Sequence, residues 1–271
     1  MVAKVLIIGA SGRVGSQVVE ALKNNDQDVV LRLATSRPEV ACKWRDEGHD
    51  AVVLDLNQSV TFAEALKGVD RLFLLTGYTS DMLFQSKKLV DAARDANVSH
   101  IVHLGVFSSR QDLIPHFNWH DLIESYIEAS GIAWTHVHPN VISDSVLVTS
   151  PPMEETGSFT VFWGDMPQGW VCVADIAAVA AAVLREGPQK HASTDYWLSI
   201  EVLTGHDVAS ILSEAAGREI KCNALQPAGL EAYVAKIPST PERTYMESAV
   251  ITMQLAAAGQ MERQTVVAMT C

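Results

Sequence analysis

Cysteine is scarce and scattered. The four residues, Cys42, Cys172, Cys222 and Cys271, form no Cys-x-x-Cys pair, so nothing points to a disulfide framework or a cysteine-built zinc module. No apolar run approaches the ~18–20 residues that span a bilayer. The amino-terminal stretch, Met1-Val-Ala-Lys-Val-Leu-Ile-Ile-Gly9, lacks the basic segment of a secretory signal and runs straight into glycines; it reads as a first strand. Together these absences predict a chain of the reducing cytoplasm, without a membrane partner. Basic residues are also short, with Lys plus Arg at 20 against Asp plus Glu at 32, a formal charge of −12. A field of that sign repels polyanions, which argues against general binding to nucleic acid or acidic membranes. No internal repeat or low-complexity tract is visible. What is there is ordinary globular material, 271 residues with 48% apolar and 19% charged, enough for one large domain or a domain with an appendage.

Strand and helix patterns alternate along the first half. Val5-Leu-Ile-Ile8 is a continuous apolar run, as a strand buried on both faces requires. Val14, Val18, Ala21 and Leu22 then give a helix one apolar face. Further strands are predicted at 29–34, 51–54, 71–76, 100–104 and 133–138. The second is broken at Ser36-Arg37-Pro38, and helical stretches are predicted at about 59–67, through Met82 to Ala93, and at about 119–129. This rhythm predicts an α/β fold, a doubly wound parallel Rossmann sheet over residues 1–139. Residues 140–271 read as a smaller C-terminal substrate lobe, with about 171–200 returning to the sheet. The lobe opens on a loop-like stretch rich in Pro and Gly, including Pro151 and Pro152. Helical pattern resumes at Val173 to Leu184 and at Val208 to Ala215, and the residues from about Ala249 are helix-compatible.

The clearest chemical signal is Gly9-Ala-Ser-Gly12-Arg-Val-Gly15, between the first strand and the first helix. A dinucleotide pyrophosphate needs a tight turn, a backbone it can approach, and helix N–H groups aimed at it. Gly9, Ser11, Gly12, Arg13, Val14 and Gly15 make that cradle, and the alternative is a merely structural glycine turn. The Gly-x-x-Gly-x-x-Gly spacing resembles the extended and atypical short-chain dehydrogenase/reductase families. Sites selective for NAD place a carboxylate at the end of the second strand. Here Ala34-Thr-Ser36-Arg37 offers none. Arg37, Ser36 and Arg13 suit a ribose 2′-phosphate, which favours NADPH, with NADH as the second choice; otherwise Arg37 is a solvated loop cation. Asp55 either bonds the adenine amine or caps the turn near Ser59. Thr76 and Gly77 end the fourth strand, where they approach the nicotinamide ribose, and Tyr78 walls the substrate.

The Tyr-x-x-x-Lys pair of ordinary short-chain reductases is missing: Tyr78, Tyr126, Tyr196, Tyr233 and Tyr245 all lack a lysine four residues on. After the fifth strand come Gly105 to Ser108, Ser109, and then His116-Phe-Asn-Trp-His120-Asp-Leu-Ile-Glu124. From His120 the chain reads His-x-x-x-Glu, then Ser130-Gly131, Trp134-Thr135 and His138-Pro139-Asn140. With the glycine loop, Asp55-Leu56, Val173-Ala-Asp175 and Leu203-Thr-Gly-His-Asp-Val-Ala209, this resembles the NmrA-like family of atypical short-chain reductases. The likeness is nearest to its NAD(P)H:quinone, triphenylmethane-dye and azo-dye reductase members, and it covers about residues 2–225. The resemblance implies Ser108 at the cofactor, and His116 and His120 about where the missing Tyr and Lys fall. An imidazole titrates near neutrality and can donate a proton to a bound oxygen or nitrogen; alternatively His120 is structural or contacts the ribose.

His116 and His120 also have the i, i+4 spacing of two metal ligands, but no third ligand is evident, and neither a metal nor a flavin is expected. His100, His103, His136 and His138 lie on strands, in core or surface positions. Trp119, Trp163 and Trp170 either stack on a flat aromatic substrate or are core material. Two functions follow. The first is an NADPH-preferring reductase of a small conjugated aromatic electrophile, an azo dye or quinone, acting as a monomer or homodimer. The second is a regulator that senses NAD(P) without turnover, a class the same family contains.

Overall fold

The computed structural model describes residues 2–23, 29–108, 113–148 and 153–261. Of the residues singled out above, Ser109, Pro151, Pro152 and Cys271 lie outside the described residues. Strands β1 (Ala3–Ile7), β2 (Val29–Thr35), β3 (Ala51–Val53), β4 (Arg71–Leu74), β5 (His100–Leu104) and β6 (Ala133–Pro139) open the fold. Between them run helices α1 (Arg13–Lys23), α2 (Pro38–Asp46), α3 (Phe62–Leu66), α4 (Met82–Asp95) and α5 (Pro115–Ala129). Next come β7 (Val141–Ile142), α6 (Met153–Thr156), β8 (Ser158–Val161), β9 (Gln168–Val171), α7 (Val173–Glu186) and α8 (Pro188–His191). The chain closes with β10 (Thr194–Leu198), β11 (Glu201–Leu203), α9 (Gly205–Ala216), β12 (Lys221–Ala224), α10 (Ala228–Val234) and α11 (Pro241–Ala257).

Seven strands form one sheet in the order β10-β6-β5-β4-β1-β2-β3, and every neighbouring pair is parallel. The fold is therefore the doubly wound α/β sheet expected. Strand period dictates its two cores. Val5 and Ile7 join the cluster under α1 and α7, while Leu6 and Ile8 join the cluster under α3, α4 and α5. The strand order reverses at β1, which pairs with β2 on one side and β4 on the other. Crossovers leave in opposite directions there and open a crevice at the carboxyl ends, where ligands bind in such sheets.

A third core lies in the lobe, around Phe159, Val161, Trp163, Trp170, Val208 and Ile220. It is faced by a three-stranded sheet, β11-β9-β7, and a two-stranded one, β12-β8. Between these segments, α7 packs into the cluster under α1, and β10 adds the edge strand beside β6.

Two differences from the sequence expectation have a common cause. The second strand ends at Thr35, just ahead of the expected break, but Pro38 then opens α2, a helix the sequence reading does not give, and Pro115 starts α5 one turn before the expected Trp119. Proline lacks the N–H that a first helical turn leaves unpaired anyway, and its φ is already helical. The expected helix at 59–67 divides into a 3₁₀ turn, Ser59–Thr61, followed by α3.

Candidate active site

The cradle forms as its glycines require. Gly9 leaves β1 with φ +63°, a left-handed turn glycine adopts without strain. Gly12 donates its N–H to the Gly9 carbonyl at 2.7 Å, and Ser16 donates to Gly12 at 2.9 Å. A Cβ built on Gly15 would collide with the Gly9 carbonyl, whereas one on Gly12 would lie 3.2 Å from that oxygen. Helix α1 can start this close to the strand only because residue 15 has no side chain.

Arg37 ends the β2 loop and caps α2 with its backbone alone. Its Nη2 donates to Ser11 Oγ at 3.0 Å, and its N–H to Thr35 Oγ1 at 3.2 Å. The guanidinium is thereby held, exposed, beside the glycine loop, next to the exposed Ser36 and Arg13. No carboxylate contacts it in the described residues. Arg37→Ala is expected to weaken NADPH binding by about 1.5–3 kcal/mol, the range for hydrogen bonds to a charged group, and to leave NADH nearly unchanged. Parallel titrations with the two dinucleotides check this; equal losses would remove Arg37 as the discriminator.

A cavity of about 330 Å³ opens from the cradle along the carboxyl ends of β1, β4 and β5. Gly9, Gly12, Arg13, Val14 and Gly15 line one end, and Thr76, Tyr78, Gly105, His120, Asn140 and Tyr245 line the other. The cradle thus shares one space with His120. Ser11, Ser36, Arg37, Asp55, Gly77, Ser108 and His116 are not on its wall. Asp55 accepts from Asn57 N at 2.9 Å and Gln58 Nε2 at 2.8 Å, a local turn ahead of the 3₁₀ turn, whose N-cap is Gln58 without a side-chain cap. His116 lies behind Tyr245, its ring 4.8 Å from that ring, and both its N–H and Nδ1 meet Ser248 Oγ, at 2.9 and 2.8 Å. It ties α5 to α11. Tyr78, 70% exposed, meets Tyr245 edge-on at 5.4 Å.

Nothing in the sequence singles out Tyr245 beyond its failure to match Tyr-x-x-x-Lys. It sits on α11, whose packing no local pattern reveals, yet it brings a phenol to the cavity. Burial, and after it Tyr78, pushes that phenol above its ordinary range, so it stays protonated. His120 departs from expectation in the other direction. Burial first, then His116 and His138, lowers it to about 3. An imidazole that titrates near neutrality was expected; enclosure in the core penalises its charged form, so it is neutral at physiological pH.

The tryptophans fall elsewhere. Trp119, Trp163 and Trp170 do not line this cavity, being spent on packing in the second and third cores. Trp163 does line an adjoining recess of about 130 Å³ with Phe107, Phe117 and Met253, which shares Val106, Pro139 and Asn140 with the main cavity. His100, His103, His136 and His138 are all buried. No helix among the described residues is long and apolar enough to cross a membrane.

The NmrA-like family matches residues 1–269. The chain is 28% identical over 219 residues to an NAD(P)H azoreductase of Xenophilus azovorans, covering 80% of this chain and 75% of that one. The fold is shared with the triphenylmethane reductase of Citrobacter sp., solved with NADP(H), at TM-score 0.78 and 24% identity over 98% of this chain and 93% of the other. It is also shared with an NADPH-dependent quinone oxidoreductase of Escherichia coli, solved with NADPH, at TM-score 0.76 and 22% identity over 95% and 90% of the two chains.

Proposed function

The chain belongs to the NmrA-like family, and from that premise we propose that it is an NADPH-preferring reductase of conjugated aromatic electrophiles such as azo dyes or quinones. The observation that carries this reading is the single cavity joining the glycine cradle to His120 and Tyr245. The residues fit a dinucleotide: Gly15 admits no side chain, Gly9 takes the left-handed turn, and Arg37 stands beside Ser11. When bound, the nicotinamide supplies a hydride. The α1 N-terminus and cradle N–H groups would hold the pyrophosphate, Arg37 and Ser36 would hold the 2′-phosphate, and Thr76 would border the nicotinamide end. The recess of Phe107, Phe117, Trp163 and Met253 suits a flat apolar ring. An acceptor of this kind spreads the incoming charge over its own conjugated system, so positioning does much of the work, and a neutral His120 N–H supports the atom that gains charge.

A panel of quinones, azo dyes and triphenylmethane dyes, followed by loss of NADPH absorbance, tests the proposal. Steady turnover of at least one class is expected, and tight NADPH binding without turnover across the panel would overturn it. With a competent acceptor, His120→Ala is expected to lower kcat about 10²-fold, the low end for general acid assistance, with NADPH affinity nearly unchanged. Because burial keeps His120 neutral, the wild-type rate should show no histidine limb near neutrality. Loss of NADPH affinity with kcat intact would instead make His120 a cofactor contact.

A further inference from the structure

Behind the cavity wall, polar groups that the proposed chemistry leaves unused cross the sheet in a line. His120 lines the cavity, and its ring centroid is 5.6 Å from that of His103 on β5. His103 is 0% exposed, and neither of its ring nitrogens has a hydrogen-bond partner among the described residues. Its Nδ1 is 3.7 Å from Glu124 Oε1, and the same oxygen is 3.6 Å from His138 Nδ1 on β6. His138 Nε2 is 2.8 Å from Asp195 Oδ1 on the edge strand β10. The Asp195 side chain is 43% exposed. The line therefore starts at the cavity, passes through three adjacent strands and ends in water.

The backbone makes room for it. A Cβ on Gly105 would sit 2.5 Å from Glu124 Oε1 and 3.2 Å from His138 Nδ1, so only glycine lets the carboxylate reach between the imidazoles. Unpartnered polar atoms in a core cost about 1–3 kcal/mol each, and apolar side chains would pack β5 more stably. A function that uses His103 would explain why the cost is borne.

We propose that His120, His103, Glu124, His138 and Asp195 form a proton path that resupplies the cavity from solvent. This rests on the reductase reading. Reducing a two-electron acceptor takes a hydride, which carries both electrons, and one proton. At His120 an N–H bond breaks as an O–H or N–H bond forms on the acceptor, and the ring is reprotonated from the His103 side. Along the line each imidazole takes a proton at one nitrogen and releases one from the other, and water at Asp195 supplies the last. The contacts of 3.6 and 3.7 Å exceed hydrogen-bond reach, and His138 Nδ1 lies 3.1 Å from the Val106 carbonyl, so each transfer there runs through one bridging water or a shift of the Glu124 carboxylate that displaces the carbonyl contact. Burial holds His103 and His120 below their ordinary titration, with His136, His116 and His138 adding to it; the rings pass protons without keeping charge. His136 also faces the line, and its Nε2 is 3.8 Å from Glu128 Oε1.

Histidine-selective nitrogen NMR of the whole chain reads the path directly, as exchange of the His103 ring proton with solvent. Asp195→Asn and Glu124→Gln are each expected to slow that exchange at least tenfold, and to raise the solvent deuterium isotope effect on kcat. Added imidazole buffer should restore the rate of Asp195→Asn, which a merely structural role would not allow. If Glu124→Gln misfolds, Asp195→Asn at the exposed edge still decides. Unchanged exchange in a folded Asp195→Asn chain would overturn the path. So would a stoichiometric metal found by elemental analysis on His103, Glu124 and His136, whose donor atoms all lie within 4.8 Å of one another. Failure of every acceptor would reject the reductase reading, while the exchange rates would still decide the path.

Discussion

Gly15→Ala is expected to abolish useful dinucleotide binding, with a loss of affinity above about 10²-fold. The added Cβ would overlap the carbonyl oxygen and carbon of Gly9 and come within 3.1 Å of Ala10 N. All three are backbone atoms, so no side chain can swing aside, and either the loop or α1 must move. Overpacking of this kind typically costs about 1–3 kcal/mol of stability. The same shift misaims the N–H groups that a pyrophosphate requires. Gly12→Ala supplies the contrast: its Cβ would sit 3.2 Å from one oxygen, which a few tenths of an ångström relieves, so the fold should tolerate it while close approach of the phosphates suffers. Titration with NADPH and thermal unfolding of both variants separate the two effects. Near-normal NADPH affinity in a folded Gly15→Ala chain would remove the cradle from the function.

Acid should unfold this protein unusually early. Burial lowers His100 to about 4 and His120 to about 3, and His103 well below its ordinary value. Arg71 and His191 add to the effect at His100. All three folded values lie below the unfolded value of about 6.5, so between them the unfolded chain binds more protons. The stability these neutral rings permit is fully present above pH ~6.5 and is lost as pH falls toward their folded values. Each group costs about 1.4 kcal/mol per pH unit in that window, and three together cost about 4 kcal/mol per unit near pH 5, a large share of a typical 5–15 kcal/mol. Urea midpoints at pH 7.5, 6 and 5 should fall steeply. His100→Gln, which keeps a donor for the 2.9 Å contact with Thr135 Oγ1, should remove about a third of the slope. A flat dependence across that range would show that these rings are already charged, or hydrated, in the folded chain.

The parallel sheet and the cradle were legible in the sequence because both are local. A continuous apolar run followed by Gly-x-x-Gly-x-x-Gly forces a buried strand, a left-handed turn and a close-packed helix within fifteen residues, whatever the rest of the chain does. The same holds for Ser36 and Arg37, whose place at the end of β2 follows from strand length alone. The starts of α2 at Pro38 and of α5 at Pro115 were not legible, because proline both breaks a helix and begins one and only the residues that follow decide which.

What the tertiary structure decided depends on contacts between distant segments. His120 shifts from near-neutral titration to about 3, and so is neutral at physiological pH, because its ring is enclosed against His103 on β5, an enclosure no spacing encodes. Tyr245 reaches the cavity because α11 packs back across α5, with Ser248 bonded to His116 from 132 residues away. The line from His120 to Asp195 needs β5, β6 and β10 side by side, although residues 140–193 intervene between β6 and β10. Local sequence determined the frame and the glycine loop, since those rest on backbone conformation and apolar period. The chemistry of the opposite wall rests on burial and on long-range packing, and those exist only once the chain has folded.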